Sequence, residues 1–385
     1  MKAFVFTDAS LARHAGQFVW LDIDGEKAKN VEIVRKLKIA AYPTLYVIDS
    51  KDERVALRWV GGATLPQLHK LLDDGHLAVS APRSGVDAVL ARADSLYAAG
   101  SDSMAALTYQ QALTEAPKDW AQYPRVMDAT LFALDQSGDP RRCTELAAEA
   151  MEKLAGTTSG ANAAVSGLSC ALQLKPEDPK RQELIARFEA RCKADVKNPA
   201  IALSTDDRSG IYLSIADARE DAKDEEGRKQ ALTECVAMLE KAAAAAKTPE
   251  QRTVFDAHRV AVYRELKQPE KAVPMLQASE KDFPNDYNPP ARLAVVYLDL
   301  KKYDEALASS DKALALAYGP RKVGFYSTRA NIYVARGDSV SARGTLEQAI
   351  KEGEALPEGQ RPKGTIASMK KRLADMGGSS GTASN

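Results

Sequence analysis

A four-position pattern recurs along this chain and restricts its fold more than any other feature. Ala294, Tyr297, Ala306 and Ala313 are separated by three, nine and seven residues. The same gaps separate Ala330, Tyr333, Ala342 and Ala349, and also Val260, Tyr263, Ala272 and Ser279. Far upstream, Ala93, Leu96, Ala105 and Ala112 obey them too. Between the last three copies the period is 34 and then 36 residues. Fixed periods of this length mark stacked supersecondary units. Two antiparallel helices joined by a tight turn approach closely only where small residues meet. The spacing therefore sets Ala93 against Ala105 and Ala294 against Ala306, with the Tyr or Leu filling the space beside the crossing. Pro117 and Pro284 end second helices and redirect the chain. One helix pair cannot cover its own apolar face, so its neighbours must.

These columns resemble the tetratricopeptide repeat family over residues 86–118 and about 253–355. The stretch 120–250 departs from the pattern but still reads as helix pairs; Gly138, Cys143, Ala147 and Ala150 hold the places of a decayed copy. Residues 361–376 read as a final capping helix. The expectation is an α-solenoid of about seven helix pairs plus that cap over 86–376. The resemblance implies a groove lined by the first helix of each pair, binding a partner protein or peptide. By spacing, that side includes His258, Arg264, Arg292, Asp299 and Asn331, which could make charge-assisted contacts. Family members that clamp a peptide C-terminus use Lys and Asn on consecutive turns. Ala257 and Ala261, or Ala291 and Val295, stand there instead, which argues against that clamp.

Residues 1–78 have another character. "FVWLDID" (18–24) and "TLYVID" (44–49) read as buried strands, and "RVALRWV" (54–60) as an amphipathic one. Between the first two, Val31, Val34, Leu37 and Ile39 recur at helical spacing. Lys51, Asp52 and Glu53 turn the chain between two antiparallel strands. Thr64 caps a last helix with Leu68, Leu71 and Leu72 on one face, and Gly75 ends it. Residues 79–85 read as a linker and 377–385 as a flexible tail.

The order of these elements, with Tyr42-Pro43-Thr44 before a strand and Gly61-Gly62 before the last helix, resembles the thioredoxin family over about residues 5–75. The resemblance implies a cis-proline at Pro43, with Tyr42, Pro43 and Thr44 forming the loop that meets a substrate peptide. It also implies a CxxC at a helix start, and the chain contains none. The segment 1–78 is thus expected to be an incomplete, non-catalytic thioredoxin-like domain. Two readings stay open: the dithiol lies upstream of Met1, making a thiol–disulfide oxidoreductase, or the unit is a passive docking module. Self-association through an open sheet edge is a third use of the same segment.

Other chemistry finds little support. Lys plus Arg equals Asp plus Glu, 53 each, so no basic excess attracts nucleic acid. No apolar run reaches the length of a membrane helix, and no membrane partner is expected. As written the chain reads as cytoplasmic, and as periplasmic or exported if an N-terminal segment precedes it. His14, His69, His76 and His258 show no metal-ligand spacing, and no GxxxxGK[ST] or nucleophile elbow occurs. No catalytic residue, metal or cofactor is expected. Cys143, Cys170, Cys192 and Cys235 read as small apolar core residues. Their even number permits a disulfide, but their spacing favours none. Trp20 and Trp59 read as buried strand packing.

Overall fold

The computed structural model describes residues 1–37, 39, 42–80 and 85–378. Most of the expected linker (81–84) and tail (379–385) therefore lies outside the described residues. The chain forms two compact units, Met1–Trp20 with Leu37–Leu239, and Leu21–Lys36 with Glu240–Asn385. The expected 1–78 segment thus contributes to both.

The first unit opens with a short 3-10 turn, Ala9–His14, capped by Asp8. Strands β1 (Thr44–Ile48) and β2 (Val55–Val60) pair antiparallel, Thr44 opposite Val60. Helix α1 is Val31–Leu37, which straddles the division between the units, and α2 is Leu65–Ser80. Thr64 and Gln67 cap α2 reciprocally: Thr64 N donates to Gln67 Oε1 at 2.9 Å, and Gln67 N to Thr64 Oγ1 at 3.4 Å. Leu57, Leu68, Leu71 and Leu72 form the core beneath the hairpin. Gly75 does not end α2. It lies inside the helix where a Cβ would stand 2.5 Å from Val47 Cγ2, so its smallness serves helix–sheet contact.

The strand expected over 18–24 does not form. The described residues pair two strands only, so a thioredoxin-like fold is not shown. The residues of "FVWL" do not bury as a strand face: Val19 is 88% and Leu21 75% exposed, and Trp20, half exposed, meets the rings of Phe6 and Phe18, while Phe18 packs against the core. Asp24 and Glu26 further along find polar partners on the C-terminal helices, as set out below. Trp59 is half-buried and its Nε1 donates to Gly62 O at 3.0 Å. The Tyr42–Pro43 bond is cis.

Helices follow from residue 86: α3 (Val86–Ala98), α4 (Asp102–Glu115), α5 (Tyr123–Ser137), α6 (Pro140–Lys153), α7 (Thr158–Gln173), α8 (Arg181–Lys197), α9 (Thr205–Asp221) and α10 (Glu225–Ala245). The division between the units falls within α10. In the second unit come α11 (Pro249–Thr253), α12 (Asp256–Glu265), α13 (Ala272–Asp282), α14 (Asn288–Asp299), α15 (Tyr303–Leu316), α16 (Gly319–Arg336), α17 (Ser339–Ala355) and α18 (Lys363–Gly378). Among the described residues these make seven helix pairs, the short α11 between the fourth and the fifth, and the closing α18. Every alanine of the repeated columns is buried.

The turn within a pair repeats as faithfully. Gly100, Lys267, Lys301 and Gly337 follow Leu96, Tyr263, Tyr297 and Tyr333 by four positions, and all four have positive φ. In each, the next amide bonds back to the carbonyl of that Leu or Tyr, as Lys302 N does to Tyr297 O at 2.9 Å. This is the bonding that closes a helix end when one residue is left-handed.

The cysteines divide. Cys143 on α6 and Cys170 on α7 form a disulfide, while Cys192 and Cys235 are free and buried. Two of the four are therefore cross-links rather than simple core residues. α6 and α7 belong to adjacent pairs, so proximity in the stack, not sequence spacing, brings the thiols together. A buried ion pair joins α3 to α5: Arg125 NH1 donates to Asp94 Oδ1 at 3.0 Å, and Tyr109 on α4 donates to the same oxygen at 2.7 Å.

Candidate partner-binding site

Helices α14 and α16 are first helices of consecutive pairs, and each begins just after a tyrosine, Tyr287 and Tyr318. Proline in the first turn of both starts the helix without losing a needed donor. The two rings meet edge-to-face with centroids 5.9 Å apart, and Phe325 supports Tyr287 at 5.5 Å. Residues 24–27 of the same unit form a tight acidic turn: Glu26 N donates to Asp24 Oδ1 at 2.9 Å and Asn30 Nδ2 to Asp24 O at 2.7 Å.

The helices hold this turn by both side chains and backbone. Tyr287 Oη donates to Glu26 Oε2 at 2.7 Å, and Arg321 Nε to Glu26 Oε1 at 2.9 Å. Tyr318 Oη donates to Asp24 Oδ2 at 2.5 Å. Gln360, itself buried, donates from Nε2 to Gly25 O at 3.0 Å and Lys27 O at 3.2 Å. Gly319, at φ +60°, admits the backbone of Glu26, whose carbonyl oxygen would stand 2.3 Å from an added Cβ. The carboxylates leave their mark on the phenols. Hydrogen bonding to Asp24, chiefly, pushes the Tyr318 hydroxyl up to about 12. Burial, then Glu26, raises that of Tyr287. A cleft of about 500 Å³ lies beside the two tyrosines, lined also by Asp282, Phe283, Asp286 and Asn288.

The five residues expected in the groove sit on first helices: His258 and Arg264 on α12, Arg292 and Asp299 on α14, Asn331 on α16. Arg264 and Asp299 pair with one another, Nε to Oδ2 at 2.5 Å and NH2 to Oδ1 at 3.3 Å. Asn331 Oδ1 accepts from Arg372 NH2 of α18 at 2.7 Å. His258 is half-buried. Arg292 is half-buried and, among the described residues, makes no hydrogen bond. Burial holds its guanidinium below the usual value, against the opposing attraction of Asp256 and Asp286.

In the first unit, Tyr42, Pro43 and Thr44 lead into β1. Tyr42 is 60% exposed, Pro43 O accepts from Gly61 N at 2.8 Å, and Thr44 is paired in the ladder. His14 and His69, distant in sequence, come together there: His14 Nε2 lies 3.0 Å from His69 Nδ1, and His69 Nε2 lies 2.9 Å from Ser10 Oγ. His69 edges a cleft of about 610 Å³ shared with Arg13 and Asp73. Ser10 gives its hydroxyl proton to Asp8 Oδ1 at 2.6 Å, so His69 does not draw that proton off as a catalytic base would. The network ties the 3-10 turn to α2.

Sequence reasoning missed Tyr287, Tyr318, Arg321 and Gln360. Asp-Gly in "DIDGEK" is a turn signal that could have moved 24–27 out of the expected strand.

A protein of stacked helix pairs with a paired-side-chain seat belongs to the class of helical-repeat proteins. No protein-family model matches the chain, and no curated protein matches it. Among solved structures it is similar to the TPR2AB domain of yeast Sti1 in a complex with pHSP90, at 15% identity over 76% of this chain and 98% of that one, TM-score 0.30. It is also similar to a chain of the APC/C hetero-tetramer Cut9–Hcn1, at 13% identity over 75% of this chain and 52% of that one, TM-score 0.34. Yeast Tom70 matches at 15% identity over 77% of this chain and 58% of its own, TM-score 0.43. Among the described residues no helix is long and apolar enough to cross a membrane.

Proposed function

We propose that this chain is a protein-interaction scaffold whose C-terminal helix pairs take an acidic turn of a partner protein or peptide. The observation that carries the reading is the seat itself: Tyr287, Arg321, Tyr318 and Gln360 hold both acidic side chains and the backbone of residues 24–27. Charge-assisted bonds to two carboxylate oxygens give geometric selection as well as attraction. Arg292, a cation without a hydrogen bond among the described residues, would extend the face on the first helices that also carry His258, Arg264, Asp299 and Asn331. A ligand carboxylate there would restore the solvation that burial removes. Exposed Tyr42, with Pro43 and Thr44, is a second docking element in this reading.

The test uses the full-length chain carrying Glu26→Ala, which removes the carboxylate that Tyr287 and Arg321 hold. A fluorescein-labelled peptide copying residues 20–30 is titrated in by anisotropy. Saturable binding is expected, weakened at least tenfold by adding Arg321→Ala or Tyr318→Phe. A peptide with Asn and Gln in place of its Asp and Glu residues should bind poorly. No saturable binding to the Glu26→Ala chain, or equal binding of the neutral peptide, would sink the reading.

A further inference from the structure

The acidic turn that fills the seat belongs to the chain itself, and its geometry says what must replace it. We propose that Asp24-Gly25-Glu26 is an intramolecular competitor, and that the partner is a protein presenting the same acidic–glycine–acidic turn, which enters by displacing it. This rests on the scaffold reading above.

The pattern is demanding at each of its three positions. The last residue must carry a carboxylate long enough to meet Tyr287 and Arg321 on separate oxygens, 2.7 and 2.9 Å away. The first must reach Tyr318 while also closing the turn through Glu26 N, for which Asp carries two carboxylate oxygens and makes the stronger bond two residues ahead. The middle position is buried and its carbonyl is taken by Gln360. Gly319 completes the fit by letting the turn's backbone approach where any Cβ would collide. A lone carboxylate satisfies none of these jointly.

The seat is built to be left as well as filled. Arg321 keeps 54% of its side chain exposed and Tyr318 is 39% exposed, against 16% for Glu26 and 6% for Gln360, so a second carboxylate meets Arg321 and Tyr318 first. Upstream of the turn, Leu21 is 75% exposed. The cleft beside Tyr287 and Tyr318 offers what residues 24–27 do not use. Asp282 is paired with Arg252 at 2.6 Å and Asp286 Oδ1 accepts from Asn288, which leaves Asp286 Oδ2 to meet a Lys or Arg next to the partner's turn, with Phe283 beside its aliphatic stem. A partner with that flanking cation makes every bond the resident turn makes and adds contacts of its own. Competition of this kind lowers apparent affinity by the fraction of molecules whose seat is empty, so nine-tenths occupancy weakens binding about tenfold.

The experiment compares wild-type with Glu26→Ala full-length chain, using the labelled 20–30 peptide and a version with Arg added beyond each end. Wild-type should bind each peptide about tenfold or more weaker than Glu26→Ala. The Arg-flanked peptide should bind both proteins more tightly. In wild-type, saturating unlabelled peptide should speed amide hydrogen exchange at Gly25–Lys27. Asp24→Asn, which retains the turn but drops a charge, should lie between, and guards against a folding defect in the alanine variant. Equal affinity of wild-type and Glu26→Ala, with exchange at Gly25–Lys27 unchanged on saturation, would overturn the competitor while leaving the scaffold intact. Failure of the peptide to bind Glu26→Ala chain would overturn both.

Discussion

Arg321 Nε on α16 donates to Glu26 Oε1 at 2.9 Å, across 295 positions of sequence. The contact makes residues Leu21–Lys36 part of the C-terminal unit rather than a strand of an N-terminal sheet. It also passes beside a position where only one residue type fits.

Gly319 is that position. Replacing it with Val adds a Cβ within 2.3 Å of Glu26 O and forces a β-branched residue to φ +60°. Gly319→Val should release the acidic turn, seen as faster hydrogen exchange at Gly25–Lys27, with the melting of the helix pairs shifted less than the exchange suggests. Unchanged exchange would mean that the turn does not depend on this approach.

The Cys143–Cys170 disulfide closes a sequence separation of 27 between α6 and α7. Loop-closure entropy for such a span corresponds to roughly 3–4 kcal/mol of stability, the account being model-dependent. Urea unfolding with and without dithiothreitol should show a lower midpoint when reduced. Cys143→Ser should reproduce the loss and make the protein insensitive to reductant.

Asp94 and Arg125 are both buried, with Tyr109 bonded to the same carboxylate. Removing one partner strands the other charge away from water. Asp94→Ala is expected to cost about 3–5 kcal/mol by chemical denaturation. Replacing both residues with apolar ones of similar size should cost much less, and equal losses would show that the ion pair is not the cause.

Burial raises the Asp128 carboxyl to about 7 from an ordinary 3.8, although Ser159 Oγ donates to it at 2.7 Å. The folded state therefore keeps this proton where the unfolded chain loses it. Its contribution is complete below 3.8 and is lost as pH rises towards 7, about 4 kcal/mol at most for a gap of that size. Stability should fall from pH 5 to pH 8 by an increment that Asp128→Asn removes. A pH slope unchanged in the variant would assign the effect elsewhere.

Lys267 and Lys301 occupy left-handed turn positions that Gly100 and Gly337 fill elsewhere in the stack. A side chain there strains the backbone by roughly 1 kcal/mol. Lys301→Gly should raise the thermal midpoint slightly, or leave it unchanged if the glycine's extra unfolded-state freedom cancels the relief. A clear drop would contradict the turn assignment.

The helix pairs were legible because their determinants are local and periodic. Small residues at Ala294 and Ala306 meet through one short turn, and the same spacing recurs along the chain. The hairpin was legible for the same reason, since alternation and the Lys51–Glu53 turn act over a few residues. The strand expected at 18–24 was not found, because a strand is completed by its neighbours and the composition of "FVWLDID" cannot supply them. Tyr287, Tyr318 and Gln360 carried no signal as a group. Each belongs to an ordinary helix start or turn, and only their common contact with residues 24–27 sets them apart.

From the sequence alone came the repeat period, the small-residue crossings and the lack of a CxxC. Tertiary structure alone decided that Glu26 meets Arg321, that Cys143 meets Cys170 and that Arg264 is spent on Asp299. Helix spacing is written in neighbours three and four residues apart. Charge pairing depends on which surfaces the stacked pairs bring together, which no single stretch encodes.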